Sequence, residues 1–299
     1  MTAPDEVADP RHDHGEAGRI SRRSLVVGAT ALFLAGGGVT VGPRALRSVR
    51  RRSLGPSIPV PPVHLAVRSL SFVSAARHRS VGVRIVVPPE LSTGNPVPVC
   101  LWLHGRGRSA ASVTSELRIP NFLAAAVAEG MPPFAVVSVD GGTAYWHKRA
   151  SGDDPEHMIM SELPGVLGRE GIIADRWAIA GWSMGGYGAL LLAERHDRFV
   201  AAVASSPAVW RHGRDTAPGA FDSSTDFKAN DVLAELSRLP KFVRIDCGTE
   251  DPFASTTSEM LRRIVGVEGT VSEGVHTMRF WRAMVPGQLR FLSAAFAAS

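Results

Sequence analysis

The chain has 299 residues, with 33 Lys and Arg against 28 Asp and Glu and a formal net charge of +5. Nine Arg and five Asp or Glu fall in residues 1–56, a net of +4, so only +1 remains for residues 57–299. A nearly neutral body offers no basic face, which removes nucleic acid from the expected partners, while its length suffices for one domain with a sizeable core.

In chain order, residues 1–56 form the first module. Ser21-Arg22-Arg23-Ser24-Leu25-Val26 resembles a twin-arginine export signal, and residues 24–43 that overlap and follow it are uncharged and contain five glycines. The stretch has the minimum length of a membrane span, with its hydrophobicity diluted by glycine. Cleaved export, an uncleaved anchor in the membrane or cell envelope, and a cytoplasmic chain with an incidental apolar helix are the alternatives, in that order. Arg44, Arg47, Arg50, Arg51 and Arg52 follow as a basic linker, suited to anionic lipid or to a solvated charge run.

Residues 57–299 read as the catalytic domain. Strands are expected at 63–71, 80–87, 97–103, 134–139, 177–181, 199–205 and 242–247, with a weak one near Thr270. The run 97–103 (VPVCLWL) is apolar throughout, as a strand covered on both faces should be. Helical segments alternate with the later strands, so the expected class is α/β, a mostly parallel eight-stranded sheet with helices on both faces. The acidic residues 153–156 are expected to open a helix through Leu167, where negative charge suits the helix dipole. Residues 206–230 form the main insertion, too short for a large lid and long enough for a small cap. Cys100 and Cys247 fall in strands that are not neighbours, so no disulfide is expected. Neither an HExxH motif nor paired cysteines points to a metal site.

Gly181-Trp182-Ser183-Met184-Gly185-Gly186 lies between strand 177–181 and an amphipathic helix over 187–195. A serine on so tight a strand-to-helix turn is strained, and side chains two positions either side would collide with the turn, so glycine is needed at 181 and 185. The following helix aims free N–H groups at a developing oxyanion. This is the spelling of a nucleophile elbow; a Gly-rich loop that only packs tightly or holds a phosphate is the competing assignment.

A serine nucleophile needs a base and an orienting acid, in the chain order Ser, Asp or Glu, His. Asp251, in the loop after strand 242–247, is the candidate acid; Glu250 competes with it, and helix capping is the structural alternative for Asp251. His276 is the candidate base, the one among ten histidines with the right order, loop and preceding glycine. His147 and His157 flank the acidic stretch as further cleft candidates. Besides the N–H of Met184, the oxyanion hole needs a second donor, assigned to the backbone N–H of Arg106 in His104-Gly105-Arg106-Gly107 after the third strand. A plain glycine turn is the alternative there, and the guanidinium groups of Arg106 and Arg108 are expected at the surface. His104, Trp146, Trp182 and Phe253, with Trp210, are candidate walls of a substrate pocket, core packing being the competing role for the aromatic residues.

Together, GWSMGGYGAL, the HG loop, CGTEDPF and GVHTMRFW resemble the esterase D and antigen 85 mycolyltransferase group of α/β-hydrolases. MIMSELPGVL at 158–167, and Val139-Asp140-Gly141-Gly142 with Tyr145-Trp146, are similar to further segments of that group. The resemblance covers roughly residues 60–296 and implies a serine esterase or acyltransferase that acts on a small-molecule or lipid ester without metal or organic cofactor. HGRG and GTEDPF are closer to the esterase branch. The expectation is therefore ester hydrolysis through Ser183, His276 and Asp251 and an acyl-enzyme, with acyl transfer to a sugar or glycerol hydroxyl as the alternative. A non-catalytic binding protein on this fold would show a broken triad, and a serine peptidase would usually carry a large extra domain.

Overall fold

The computed structural model describes residues 55–91 and 94–299. The export or anchor segment expected in residues 1–56 lies outside them, except for Gly55 and Pro56. Eight strands make one sheet in the order β1-β2-β4-β3-β5-β6-β7-β8. They are β1 (Arg68–Ser74), β2 (Arg79–Val86), β3 (Pro96–Leu103), β4 (Ala135–Val139), β5 (Ile173–Trp182), β6 (Phe199–Ser205), β7 (Phe242–Gly248) and β8 (Glu268–Ser272). β2 runs antiparallel to both β1 and β4, and the remaining pairs are parallel.

Two strand boundaries depart from the sequence pattern. β1 starts at Arg68 rather than 63, because residues 61–65 satisfy their backbone elsewhere: Asn121 Nδ2 donates to the Pro61 and Val63 carbonyls, and Leu65 N–H donates to Pro120 O. β5 starts at Ile173, four residues before the apolar run, where Ile173 and Ala174 pair with Pro96 and Val97 ahead of a register shift at Pro98. Proline cannot donate to a ladder, which fits its place at that irregularity.

The helices are α1 (Ala110–Ser115), α2 (Ile119–Ala128), α3, α4 (Met184–Arg195), α5 (Ser224–Ala229), α6 (Ala254–Arg263) and α7 (Met278–Ala297). α3 runs on without a break through Pro155–His157, a π turn Met158–Glu162 and Leu163–Arg169. Its start is capped as the acidic stretch predicts, with Asp154 accepting from His157 N–H at 2.8 Å.

Alternate residues of each strand point to opposite faces. On β3, Val99, Leu101 and Leu103 join the apolar cluster that includes Leu163 of α3 and Leu190 of α4. Cys100 and Trp102 join the opposite cluster, with Phe122 of α2 and Leu289 of α7. Both faces are therefore covered, and α4, expected to be amphipathic, is buried at every residue from Met184 to Glu194. Cys100 and Cys247 are free and buried, and burial pushes both thiols well up, away from reactivity. The parallel strands deliver four connections to one edge of the sheet: those after β3, β5, β7 and β8.

Candidate active site

β5 ends at Trp182 and α4 begins at Met184, leaving Ser183 alone at the turn with φ 54° and ψ −119°. This region is costly for a residue with a Cβ. The neighbours leave no choice on either side: a Cβ on Gly181 would sit 2.3 Å from Gly185 O, and one on Gly185 would sit 2.1 Å from Leu103 O. The turn is held by Ser183 N–H donating to Ser205 O at 2.9 Å, and by Ala208 N–H donating to Ser183 O at 3.0 Å.

His276 arrives from the loop between β8 and α7. Its Nε2 lies 2.9 Å from Ser183 Oγ, and its Nδ1 lies 2.8 Å from Asp251 Oδ2. The Asp251 side chain is fully buried, and its second oxygen accepts from Phe253 N–H at 2.9 Å. Asp251 thus contacts His276 with one oxygen and closes a local turn with the other, whereas the cap of the following helix is Phe253, with no side-chain cap bond, and Glu250 is exposed. Trp281 stands edge-on to the His276 ring at 4.8 Å and is itself fixed by Nε1–H donating to Ser206 Oγ.

Met184 N–H belongs to the first turn of α4, whose N–H groups lack partners within the helix. The loop after β3 carries Arg106, and the fully buried His104 governs its shape. His104 Nε2 accepts from Gly141 N–H at 2.9 Å, so the proton resides on Nδ1, which donates to Gly105 O at 2.8 Å. Gly105 O and Arg106 N–H belong to one planar peptide. The imidazole therefore fixes the plane of the N–H that the sequence nominates as second donor. Burial lowers the pKa of His104, which keeps it in the neutral form that this pair of bonds requires.

Three candidate pocket walls are corrected. His104, Trp146 and Trp182 are 0%, 0% and 1% exposed, and they support loops instead of facing substrate. Trp182 Nε1 fills the space a Cβ would need at Gly105, and Trp146 does the same at Gly141 and Gly188. Phe253 stays half-buried, 5.5 Å from the His276 ring, and meets Trp210 at 5.4 Å. His147 is buried and stacks on Phe221, while His157 is exposed.

The Arg106 side chain is exposed, as expected, and its guanidinium donates to Pro218 O at 2.7 Å. Tyr145 itself was not a sequence candidate. It and Trp146 both take positive φ, 51° and 63°, and Tyr145 packs on Tyr187, Trp210 and Phe221. The insertion after β6 is thereby tied to the loop after β4. Arg149 grips Asp222 and the Ala220 carbonyl, and Arg211 reaches Glu259 and Ser255 on α6.

Solved structures share this arrangement of strands and helices. A ferulic acid esterase aligns with a TM-score of 0.67 and 19% identity, over 78% of this chain and all of its own. An S-formylglutathione hydrolase from Agrobacterium tumefaciens aligns at 0.60 and 20%, over 76% of this chain and 94% of its own. One from Staphylococcus aureus aligns at 0.63 and 18%, over 77% and 100%. No curated protein matches. These likenesses show the α/β-hydrolase fold. Residues 74–292 match the family model described as "Putative esterase", and the chain belongs to that esterase family.

Proposed function

We propose that the protein is a serine carboxylesterase that works through an acyl-enzyme on Ser183. The carrying observation is the position of His276, in hydrogen-bond contact with Ser183 Oγ on one nitrogen and with Asp251 on the other. Ser183 Oγ attacks the ester carbon and its proton passes to His276 Nε2, while Asp251 stabilises the imidazolium. The N–H groups of Met184 and Arg106 hold the oxyanion. Collapse releases the alcohol, which takes the proton from His276. Water then gives a proton to His276 and attacks the acyl-enzyme, and the tetrahedral adduct expels Ser183 Oγ, which takes that proton back from His276 as the carboxylic acid leaves.

The half-buried faces of Phe253 and Trp210 beside His276 suit an apolar acyl group on a small-molecule or lipid ester. The twin-arginine pattern and the apolar stretch after it favour action outside the cytoplasm, at the cell envelope. The test is turnover of aryl esters of increasing acyl length by the wild type and Ser183→Ala, with and without glycerol. Equal rates for the two proteins would overturn the proposal. Acyl-glycerol forming faster than free acid would replace hydrolysis by acyl transfer.

A further inference from the structure

Burying a guanidinium is costly unless its charge is paired and its N–H groups find acceptors. Arg77, in the turn between β1 and β2, is 2% exposed. Its Nε and Nη2 donate to Asp153 Oδ1 and Oδ2 at 2.7 and 2.9 Å, a bidentate pair that satisfies the charge. Nη1 is left over, and it donates to the Asp140 carbonyl at 2.5 Å. The turn itself is closed by other groups: Ala76 N–H donates to Glu162 Oε1 at 2.9 Å, and the Arg77 N–H donates to Ser74 Oγ at 3.1 Å. The guanidinium is therefore free of any duty in its own turn and is delivered to Asp140 O.

Asp140 O and Gly141 N–H share one planar peptide, and Gly141 N–H is the donor that His104 Nε2 accepts. His104 Nδ1–H in turn donates to Gly105 O, whose peptide carries Arg106 N–H. Every bond runs the same way: guanidinium to Asp140 O, Gly141 N–H to imidazole, imidazole to Gly105 O, and Arg106 N–H outward to the oxyanion. A peptide whose oxygen already accepts a bond donates more strongly through its N–H, and a charged donor at the head of the chain adds to this. Protonated His104 would break the chain, since Nε2 could no longer accept. Burial lowers the His104 pKa and the Arg77 charge acts the same way, against the bond to Gly105 and the Asp140 charge. The loop after β4 keeps its place without Arg77, because the Asp140 carboxylate accepts from Ala110 N–H at 2.7 Å and Gly82 N–H at 3.2 Å. Asp140 N–H also donates to Gly82 O at 2.9 Å. What Arg77 adds is the orientation and polarisation of one peptide.

We infer that Arg77 is a positioning residue for the oxyanion hole, acting through the Asp140–Gly141 peptide and His104 to orient and polarise the Arg106 N–H. The inference rests on Ser183 acting as the ester nucleophile with that N–H as an oxyanion donor. Arg77 touches no reacting atom. Its effect is felt as negative charge develops on the carbonyl oxygen, so it falls on kcat and not on KM. Loss of a whole oxyanion donor costs about 10²- to 10³-fold in kcat, and weakening one by cutting its relay should cost about 5- to 20-fold.

The test measures kcat and KM for a water-soluble aryl ester with the full chain and its Arg77→Gln, Arg77→Lys, His104→Gln and Arg77→Gln/His104→Gln variants. Arg77→Gln leaves Asp153 with Arg79, 3.4 Å away, and should lower kcat about 10-fold at unchanged KM. Arg77→Lys keeps a charged donor and should recover most of that loss. In the double variant the Arg77 change should cost less than about twofold beyond His104→Gln alone, because the relay is already cut. Wild-type kcat in Arg77→Gln, a change in KM alone, or losses that multiply in the double variant would overturn the inference. Should Arg77→Gln melt below the assay temperature, Arg77→Gln/Asp153→Asn, neutral on both sides, carries the same predictions. Ser183→Ala in the same assay separates the two claims. Turnover that survives in it removes the esterase reading, whereas turnover lost there with kcat indifferent to Arg77 removes only the relay.

Discussion

The two ends of α4 place polar groups in opposite circumstances. At the amino end Ser183 is strained, yet each polar group around it has a partner: His276 on its hydroxyl, Asp251 behind His276, and Phe253 N–H on the second Asp251 oxygen. At the carboxyl end Glu194 is 5% exposed, and its Oε2 has no hydrogen-bond partner among the described residues. It borders a cavity of about 210 Å³ shared with Asp231 and Glu235. Burial, reinforced by those two acids and opposed by Arg195, pushes its pKa up to about 8, and the negative end of the helix acts in the same direction. A polar group buried at a helix terminus is therefore useful or costly according to its partners. Asp251 is held ready by its neighbours, whereas Glu194 is held protonated by its surroundings.

Substitutions at each end sharpen that contrast. Ser183→Ala should lower kcat by about 10⁴- to 10⁶-fold with the fold retained, as measured by ester turnover and thermal melting. Asp251→Asn should cost about 10⁴-fold by disturbing the His276 tautomer, while Glu250→Gln should leave kcat within a few fold; equal losses would reopen the choice of acid. His104→Asn keeps a donor near Gly105 O, whereas His104→Gln keeps only a group near Gly141. The glutamine variant should therefore lose about 10- to 100-fold in kcat with little change in KM, and the asparagine variant less.

At the far end of α4, Glu194→Gln should change stability in a pH-dependent way. The folded pKa of Glu194 lies above its ordinary value of 4.5, so wild-type stability falls as pH rises from about 4.5 to about 8 and is flat above that. The glutamine variant should match the wild type near pH 4 and exceed it by on the order of 4 kcal/mol near pH 8. Denaturant unfolding at both pH values measures this, and a gap independent of pH would contradict the burial account.

The elbow, Asp251 and His276 were legible because their signals are local: glycines two residues either side of a serine, a carboxylate after an apolar run, a histidine in a glycine loop. The strand alternation was legible for the same reason. Depth was not. His104, Trp146 and Trp182 carry the residue types of a pocket wall, but the loops after β3 and β4 fold over them and bury all three. The Arg106 guanidinium is exposed, as its sequence position suggests, but its partner Pro218 lies 112 residues away and has no local signal. Glu194 lies near the end of a run, GALLLAER, that reads as one apolar face with a charged rim, yet residues 228–238 close over that rim and no local feature of the sequence signals it. The early starts of β5 and the late start of β1 follow from pairing with distant segments, which periodicity does not report.

The central claim is that Ser183 Oγ becomes acylated. The most direct test is peptide mapping by mass spectrometry after brief reaction of the full chain with an aryl ester, quenched in acid. The account predicts one acyl group per chain, on the peptide containing Ser183, absent from Ser183→Ala and accumulating further in a burst when deacylation is slow. Hydrolysis that continues in Ser183→Ala, or an acyl group found on another residue, would contradict it.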